Sequence, residues 1–223
     1  MGATNGMKKI IVKGPALSQT GYGEQTRFAL RALRSRPDLF DIYIMNLEWG
    51  KSNHIIEDND EHTWLVETIR KTAQFLQAHQ GQVAFDLSLQ VTIPNEFEKM
   101  APINIGYTAG IETTKVSPIW LQKCNELMDR IIVISQHSKQ SFLNTVVEAQ
   151  DQFGNKFPYK LEKPIEFVTY PTKPEKTVPI ELSLEHDFNF LMTSQWGPRK
   201  NFENAIRWFV EENIDQEVGL VVK

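Results

Sequence analysis

Lys9-Ile-Ile-Val-Lys13, running into Gly14-Pro-Ala-Leu-Ser-Gln-Thr-Gly-Tyr-Gly-Glu-Gln-Thr26, is the stretch that decides the fold. A short, apolar, β-branched run breaks into a Gly-containing loop and is followed by a helical pattern over 21–34. Strand, loop and helix in that order open a β-α-β unit. The same alternation extends outward, with strands expected at 40–46, 83–89, 103–108, 130–135 and 165–169 and helices at 61–79, 118–127 and 136–150. In the helix over 61–79, Leu65, Ile69, Ala73 and Leu76 fall on one stripe. The strands are short and mostly apolar, as strands buried on both faces should be. A β-α-β order throughout predicts right-handed crossovers and one open parallel sheet, an α/β domain over residues 1–170.

Residues 171–186 carry Pro171, Pro174 and Pro179 among Lys, Glu and Thr, a composition that resists helix and central strand and reads as a linker. The pattern then restarts, with a strand at 187–193, a helix at 200–213 and a strand at 217–222. Phe202, Ala205, Ile206, Phe209 and Val210 share one face of that helix. A single β-α-β unit buries too little surface to stand as a domain, so residues 187–223 are expected to be the truncated start of a second one.

Composition narrows the function classes. Of the 223 residues 41% are hydrophobic and 23% charged, too apolar a balance for a disordered chain. A net charge of -4, from 24 basic and 28 acidic residues, gives no global attraction to nucleic acid, and no nucleic-acid partner is expected. Cys124 is the single cysteine, so no internal disulfide forms and a reducing compartment fits. No apolar run approaches the roughly 20 residues that span a bilayer, and residues 1–7 have neither a basic nor an apolar signal region. A cytoplasmic chain without a transmembrane segment is expected.

Three strand-to-helix loops carry the chemistry. In the first, Gly21, Tyr22 and Gly23 lie at a helix N-terminus, where backbone N–H groups can meet a phosphate. Equally, Thr20 or Gly21 can simply cap the helix while the glycines make the turn. A dinucleotide fingerprint needs its glycines directly after the strand; here they come several residues beyond Lys13 and the third position is Thr26, which disfavours NAD although Glu48 follows the second strand. The second loop, Tyr107-Thr-Ala-Gly-Ile-Glu112-Thr-Thr-Lys-Val-Ser-Pro-Ile-Trp120, leaves the carboxyl end of a strand, the end where such sheets place ligands. Glu112 could act as a base toward a hydroxyl or be a solvated loop carboxylate. Ser117-Pro118 reads as a cap followed by proline at the first helical position. In the third loop, Arg199 and Lys200 are expected at the start of a helix, where a cation is mildly unfavourable unless an anion joins it. The five histidines show no zinc-ligand spacing, so no metal site is expected, and neither a nucleophile elbow nor a P-loop occurs.

In order and spacing these loops resemble the GT-B glycosyltransferases of the large family numbered four. The resemblance rests on Thr20-Gly-Tyr-Gly-Glu24, on Glu112-Thr-Thr-Lys-Val-Ser-Pro118-Ile-Trp120 followed by Asp129, Ile131 to Ile134, Ser135 and Phe142, and on Phe190-Leu-Met-Thr-Ser-Gln-Trp-Gly-Pro-Arg-Lys-Asn-Phe202. Where the family often has an arginine five residues before its lysine, Gln195 stands here. The resemblance implies a Rossmann-like N-terminal domain followed by the opening of a Rossmann-like C-terminal domain. It implies transfer of a sugar from a nucleoside-diphosphate sugar to an acceptor hydroxyl on a glycan, lipid or protein, without a metal cofactor and inactive as this fragment alone. It places Glu112 in a catalytic role and Gly21, Tyr22, Gly23, Tyr107, Arg199 and Lys200 against substrate. Two alternatives stand beside it: a nucleotide-sugar or NAD-dependent oxidoreductase or epimerase, and a non-catalytic acceptor-binding module.

Overall fold

A computed structural model describes residues 6–223 apart from Lys51, Gln82, Val83, Lys173, Glu175 and Gln195. The chain divides into two compact units, Met1–Thr172 and Lys173–Lys223.

The first unit is built on β1 (Lys8–Gly14), β2 (Phe40–Asn46), β3 (Leu87–Val91), β4 (Ile103–Thr108), β5 (Arg130–Val133), the hairpin strands β6 (Val146–Gln150) and β7 (Lys156–Lys160), and β8 (Ile165–Phe167). Its helices are α1 (Gly21–Arg34), α2 (Asp60–Ala78), α3 (Pro118–Leu127) and α4 (Gln136–Leu143). Six strands form one parallel sheet in the order β2-β1-β3-β4-β5-β8, an α/β, Rossmann-like arrangement flanked by helices. Side chains alternate across the sheet, so each face has its own core. Ile10, Val12, Leu89, Val91 and Tyr107 pack with Leu30 of α1 and Leu65 of α2. Ile131, Val133 and Ile165 pack with Leu121 and Cys124 of α3 and Phe142 of α4. Each fully buried Leu, Ile or Phe in these clusters contributes about 1.5–3 kcal/mol by leaving water. Burial also pushes the Cys124 thiol up to about 12, so it is an inert part of this core.

The β-α-β order does not hold throughout. No α-helix joins β3 to β4; residues 92–102 cross as an extended segment with one 3-10 turn, Pro94–Glu96. Side chains on the sheet hold its backbone down. Gln90 donates from Nε2 to Glu98 O at 2.6 Å and accepts from Glu98 N at 2.9 Å, while Asn104 Oδ1 accepts from Met100 N and Ala101 N. Lys13 Nζ, though buried, donates to Glu96 O at 2.6 Å and pairs with Glu98. The Phe97 ring lies where a Cβ on Gly106 would approach it to 2.5 Å, so glycine on β4 makes room for the segment.

Two expected boundaries also move. The third strand, expected at 83–89, is found at Leu87–Val91, and Val83 lies outside the described residues. The helix expected to reach residue 150 ends at Leu143, because Thr145 turns its hydroxyl back to Ser141 O and accepts from Val116 N. The β-branched run that follows pairs antiparallel with β7. Pro158 is tolerated there because this two-stranded ribbon has outward edges that need no donor.

The second unit holds β9 (Phe188–Met192), α5 (Phe202–Asn213) and β10 (Val218–Val222), the two strands paired in parallel. Its helix starts later than expected. Pro198–Lys200 form a 3-10 turn and Asn201 adopts a left-handed φ of 54°. No helix among the described residues is long and apolar enough to cross a membrane.

Candidate functional site

In the order β2-β1-β3-β4, the connections after β1 and β3 depart in opposite directions, and ligands of open α/β sheets bind in the crevice at such a switch point. The β1–α1 loop forms one wall. Thr20 caps α1 by accepting from Gly23 N at 3.2 Å. Neighbouring elements fix the rest of the loop. Arg27, buried on α1, donates from Nη1 to Ala16 O at 2.8 Å and to Ser18 O at 2.9 Å. Asn46 at the end of β2 accepts from Leu17 N, and the β2–α2 loop pairs with Leu17, Ser18 and Gln19 through Ile55, Ser52 and Asn53.

The two glycines have different roles. A Cβ on Gly23 would lie 2.0 Å from Ser18 O and 3.1 Å from Pro15 O, so the loop's own backbone fills that space. Nothing lies within 4 Å of where a Cβ on Gly21 would be. Space beside the helix N-terminus is therefore open at Gly21, whereas Gly23 serves the turn. Glu24 belongs to an ion-pair group with Arg27, Arg31 and Glu61. Burial opposes its charge, but hydrogen bonds from Arg27 and Arg31 outweigh burial and hold its carboxyl below the usual carboxylate range.

Tyr22 ties this wall to β4. Its hydroxyl donates to Ala109 O at 3.0 Å, accepts from Ala109 N at 2.9 Å and lies 3.0 Å from Thr108 Oγ1, while its ring meets Trp49 at 4.9 Å. Burial raises its pKa despite those hydrogen bonds. Tyr107 is buried beneath, its phenol also pushed up by burial. Tyr22 and Tyr107 thus shape the wall, and the polar end of Tyr22 is engaged by the chain itself. Glu112 lies on the same β4–α3 loop, solvent-exposed, two residues past Gly110 with its φ of 75°. Ser141 anchors that loop by donating to Thr113 O. Ser117 precedes Pro118 without a side-chain cap bond, whereas Ser135 caps α4 by accepting from Ser138 N.

Arg199 and Lys200 belong to the second unit, exposed on the 3-10 turn before α5 rather than in the helix. The adjoining concavity, of about 240 Å³, is lined by Trp196, Gly197, Pro198, Asn201, Phe202 and Glu203. Gln195 lies outside the described residues.

Sequence reasoning missed several residues of the crevice. Thr92, one residue past β3, has a buried hydroxyl with no hydrogen-bond partner among the described residues. Gln25, wholly buried on α1, accepts from the hydroxyl of Tyr170 at 3.0 Å. Gln25-Thr-Arg27 are consecutive polar residues that all turn inward, contrary to the usual amphipathic pattern, and no local signal joins Gln25 to a tyrosine 145 residues away. Among the described residues no group of three or more His, Cys, Asp or Glu is placed to hold a metal ion.

The fold and crevice define the class as an α/β protein with a Rossmann-like parallel sheet. No known family, no curated protein and no solved structure matches the chain.

Proposed function

We propose that this chain is part of a GT-B-type glycosyltransferase that binds a nucleoside-diphosphate sugar and transfers its sugar to an acceptor hydroxyl. The observation that carries the reading is the open space at Gly21, at the head of a 14-residue helix beside the switch point. The first-turn amides of a helix lack intrahelical acceptors and carry the positive end of its dipole, which suits a diphosphate. In this reading Glu112 on the first unit receives the acceptor proton; on the second unit, taken by itself, Arg199 and Lys200 are cations of the kind that suit an anionic leaving group. The crowding on the Cβ side of Gly23, filled by Ser18 and Pro15, spends that glycine on the turn rather than on approach of a pyrophosphate, which weighs against the dinucleotide alternative.

The test is calorimetric titration of the chain with UDP-, GDP- and ADP-sugars and with NAD, repeated on Gly21→Val and Lys200→Ala. A nucleotide sugar should bind. Gly21→Val should weaken it more than tenfold while the melting temperature stays put, because the new side chain enters space that nothing else fills. Lys200→Ala tests the second unit separately, where loss of a charge-assisted contact to a phosphate should cost about tenfold. Binding of NAD alone, or nucleotide-sugar binding indifferent to Gly21→Val, would overturn the assignment.

A further inference from the structure

β8 is the edge strand of the sheet, two strands from β4. Neighbouring strands lie about 4.8 Å apart, so the carboxyl end of β4 is about 10 Å from that of β8, the span of three extended residues. Residues 168–170 and the Tyr170 side chain together bridge this distance. Val168 N donates to the carbonyl of Val133, the last residue of β5, at 2.8 Å. Tyr170 then places its hydroxyl on Gln25 Oε1 at 3.0 Å, and Gln25 Nε2 reaches the carbonyl of Tyr107 on β4 at 3.5 Å. Val168 thus still runs beside the carboxyl end of β5, and the Tyr170 side chain reaches across to Gln25, which in turn meets β4, beside the crevice.

What covers and what is covered differ sharply. Val168 is 54% exposed and Tyr170 42%, and neither belongs to a buried cluster. Beneath them Gln25 is 0% and Tyr107 7% exposed. Tyr170 also lies near the other two phenols of the crevice: its pKa is pushed up to about 12, by burial first and then by Tyr107 and Tyr22. Among the described residues, the hydrogen bonds that hold the cover are one from its backbone and one neutral one from the Tyr170 side chain. The net contribution of a bond of the second kind is small, so breaking it changes an opening equilibrium by about tenfold or less.

We propose that residues 168–170 form a releasable strap over the candidate crevice, latched by Tyr170 on Gln25, and that its opening uncovers Gln25 and Tyr107. The strap goes beyond the glycosyltransferase reading and does not depend on it. Closed, the strap supplies the hydroxyl that the buried Gln25 amide needs; open, it leaves that amide and the Tyr107 phenol facing the crevice.

The test is acetylation of the folded 223-residue chain with N-acetylimidazole, mapped by mass spectrometry and restricted to first-hit rates, with the unaltered sequence and with Tyr170→Phe. That change removes the latch hydroxyl and keeps the ring. The rate at Tyr107 should rise about three- to tenfold, while Tyr43, 3% exposed in a different cluster, serves as the internal control and stays constant. Hydrogen exchange over residues 168–172 should accelerate by a similar factor, with β1 and β3 unchanged. An unchanged rate at Tyr107 overturns the strap. A parallel rise at Tyr43 overturns it too, because the contact would then support the whole unit rather than gate one edge.

Discussion

The loop after β1 and the loop after β9 both lead from a parallel strand into an amphipathic helix, yet they are held in different ways. The first has a side-chain N-cap from Thr20, a backbone crossing so tight that Gly23 can carry no side chain, and braces from Arg27, Asn46 and Tyr22. In the second, a 3-10 turn ends at Asn201, whose left-handed backbone makes no side-chain cap bond to α5. Asn204 donates to the Asn201 side chain, and Trp196 lies on Phe202 at 5.0 Å. Within α5, Phe202 alone is buried. A helix N-terminus held by several elements presents its amides in one arrangement, whereas one resting on local turns keeps more freedom. The first loop therefore presents a prearranged helix N-terminus.

That contrast breaks most visibly at Gly23. Gly23→Ala should destabilise the first unit by about 3 kcal/mol, since its Cβ meets backbone that cannot move aside, while Gly21→Ala should stay within about 0.5 kcal/mol. Urea denaturation of the two variants measures the difference, and equal effects would show that the Ser18 carbonyl yields.

A smaller effect concerns the charges behind the first loop. Hydrogen bonding from Arg31 holds the Glu61 carboxyl below the usual range against the opposing effect of burial, and Glu24 is lowered as well. Both folded values lie below the unfolded ones. Their stabilisation is therefore present above the unfolded carboxylate value, roughly 4.3, and is lost as pH falls through the folded values. Glu24→Gln should flatten part of this acid loss and reduce stability at neutral pH by about 0.5 kcal/mol, a modest amount because the Glu24 side chain is 40% exposed and screened. Denaturation midpoints between pH 3 and 7, the range about that carboxylate value, measure it.

The smallest effect belongs to the second loop. Asn201→Gly relieves a left-handed backbone and loses the contact with Asn204, two changes that nearly offset. Hydrogen exchange along α5 should shift by about twofold or less. A large loss of protection would mean that Asn201 supports this loop as firmly as Thr20 supports the other.

Much of the first unit was legible from near-neighbour patterns. Each of the six parallel strands coincides with or overlaps a short apolar run, and α1 begins after Thr20 and ends at Arg34 as its pattern predicts. Proline at 118 and serine at 135 mark the starts of α3 and α4, because caps and proline act on backbone within one turn. The hairpin β6–β7 was not legible. Val146–Gln150 reads as the continuation of a helix until its partner, ten residues on, offers a ladder.

The amino-acid sequence by itself determined the alternation of elements, the parallel α/β class and the placing of a glycine-bearing loop at the head of the first helix, all of which follow from period, capping and turn chemistry over a few residues. Only the tertiary structure decided which glycine is spent on packing and which is open, that Phe97 lies over Gly106 in place of a helix, and that Tyr170 closes on Gln25. Those outcomes depend on strand order and register, which bring residues far apart in the chain within a few ångströms, and no local pattern carries that distance.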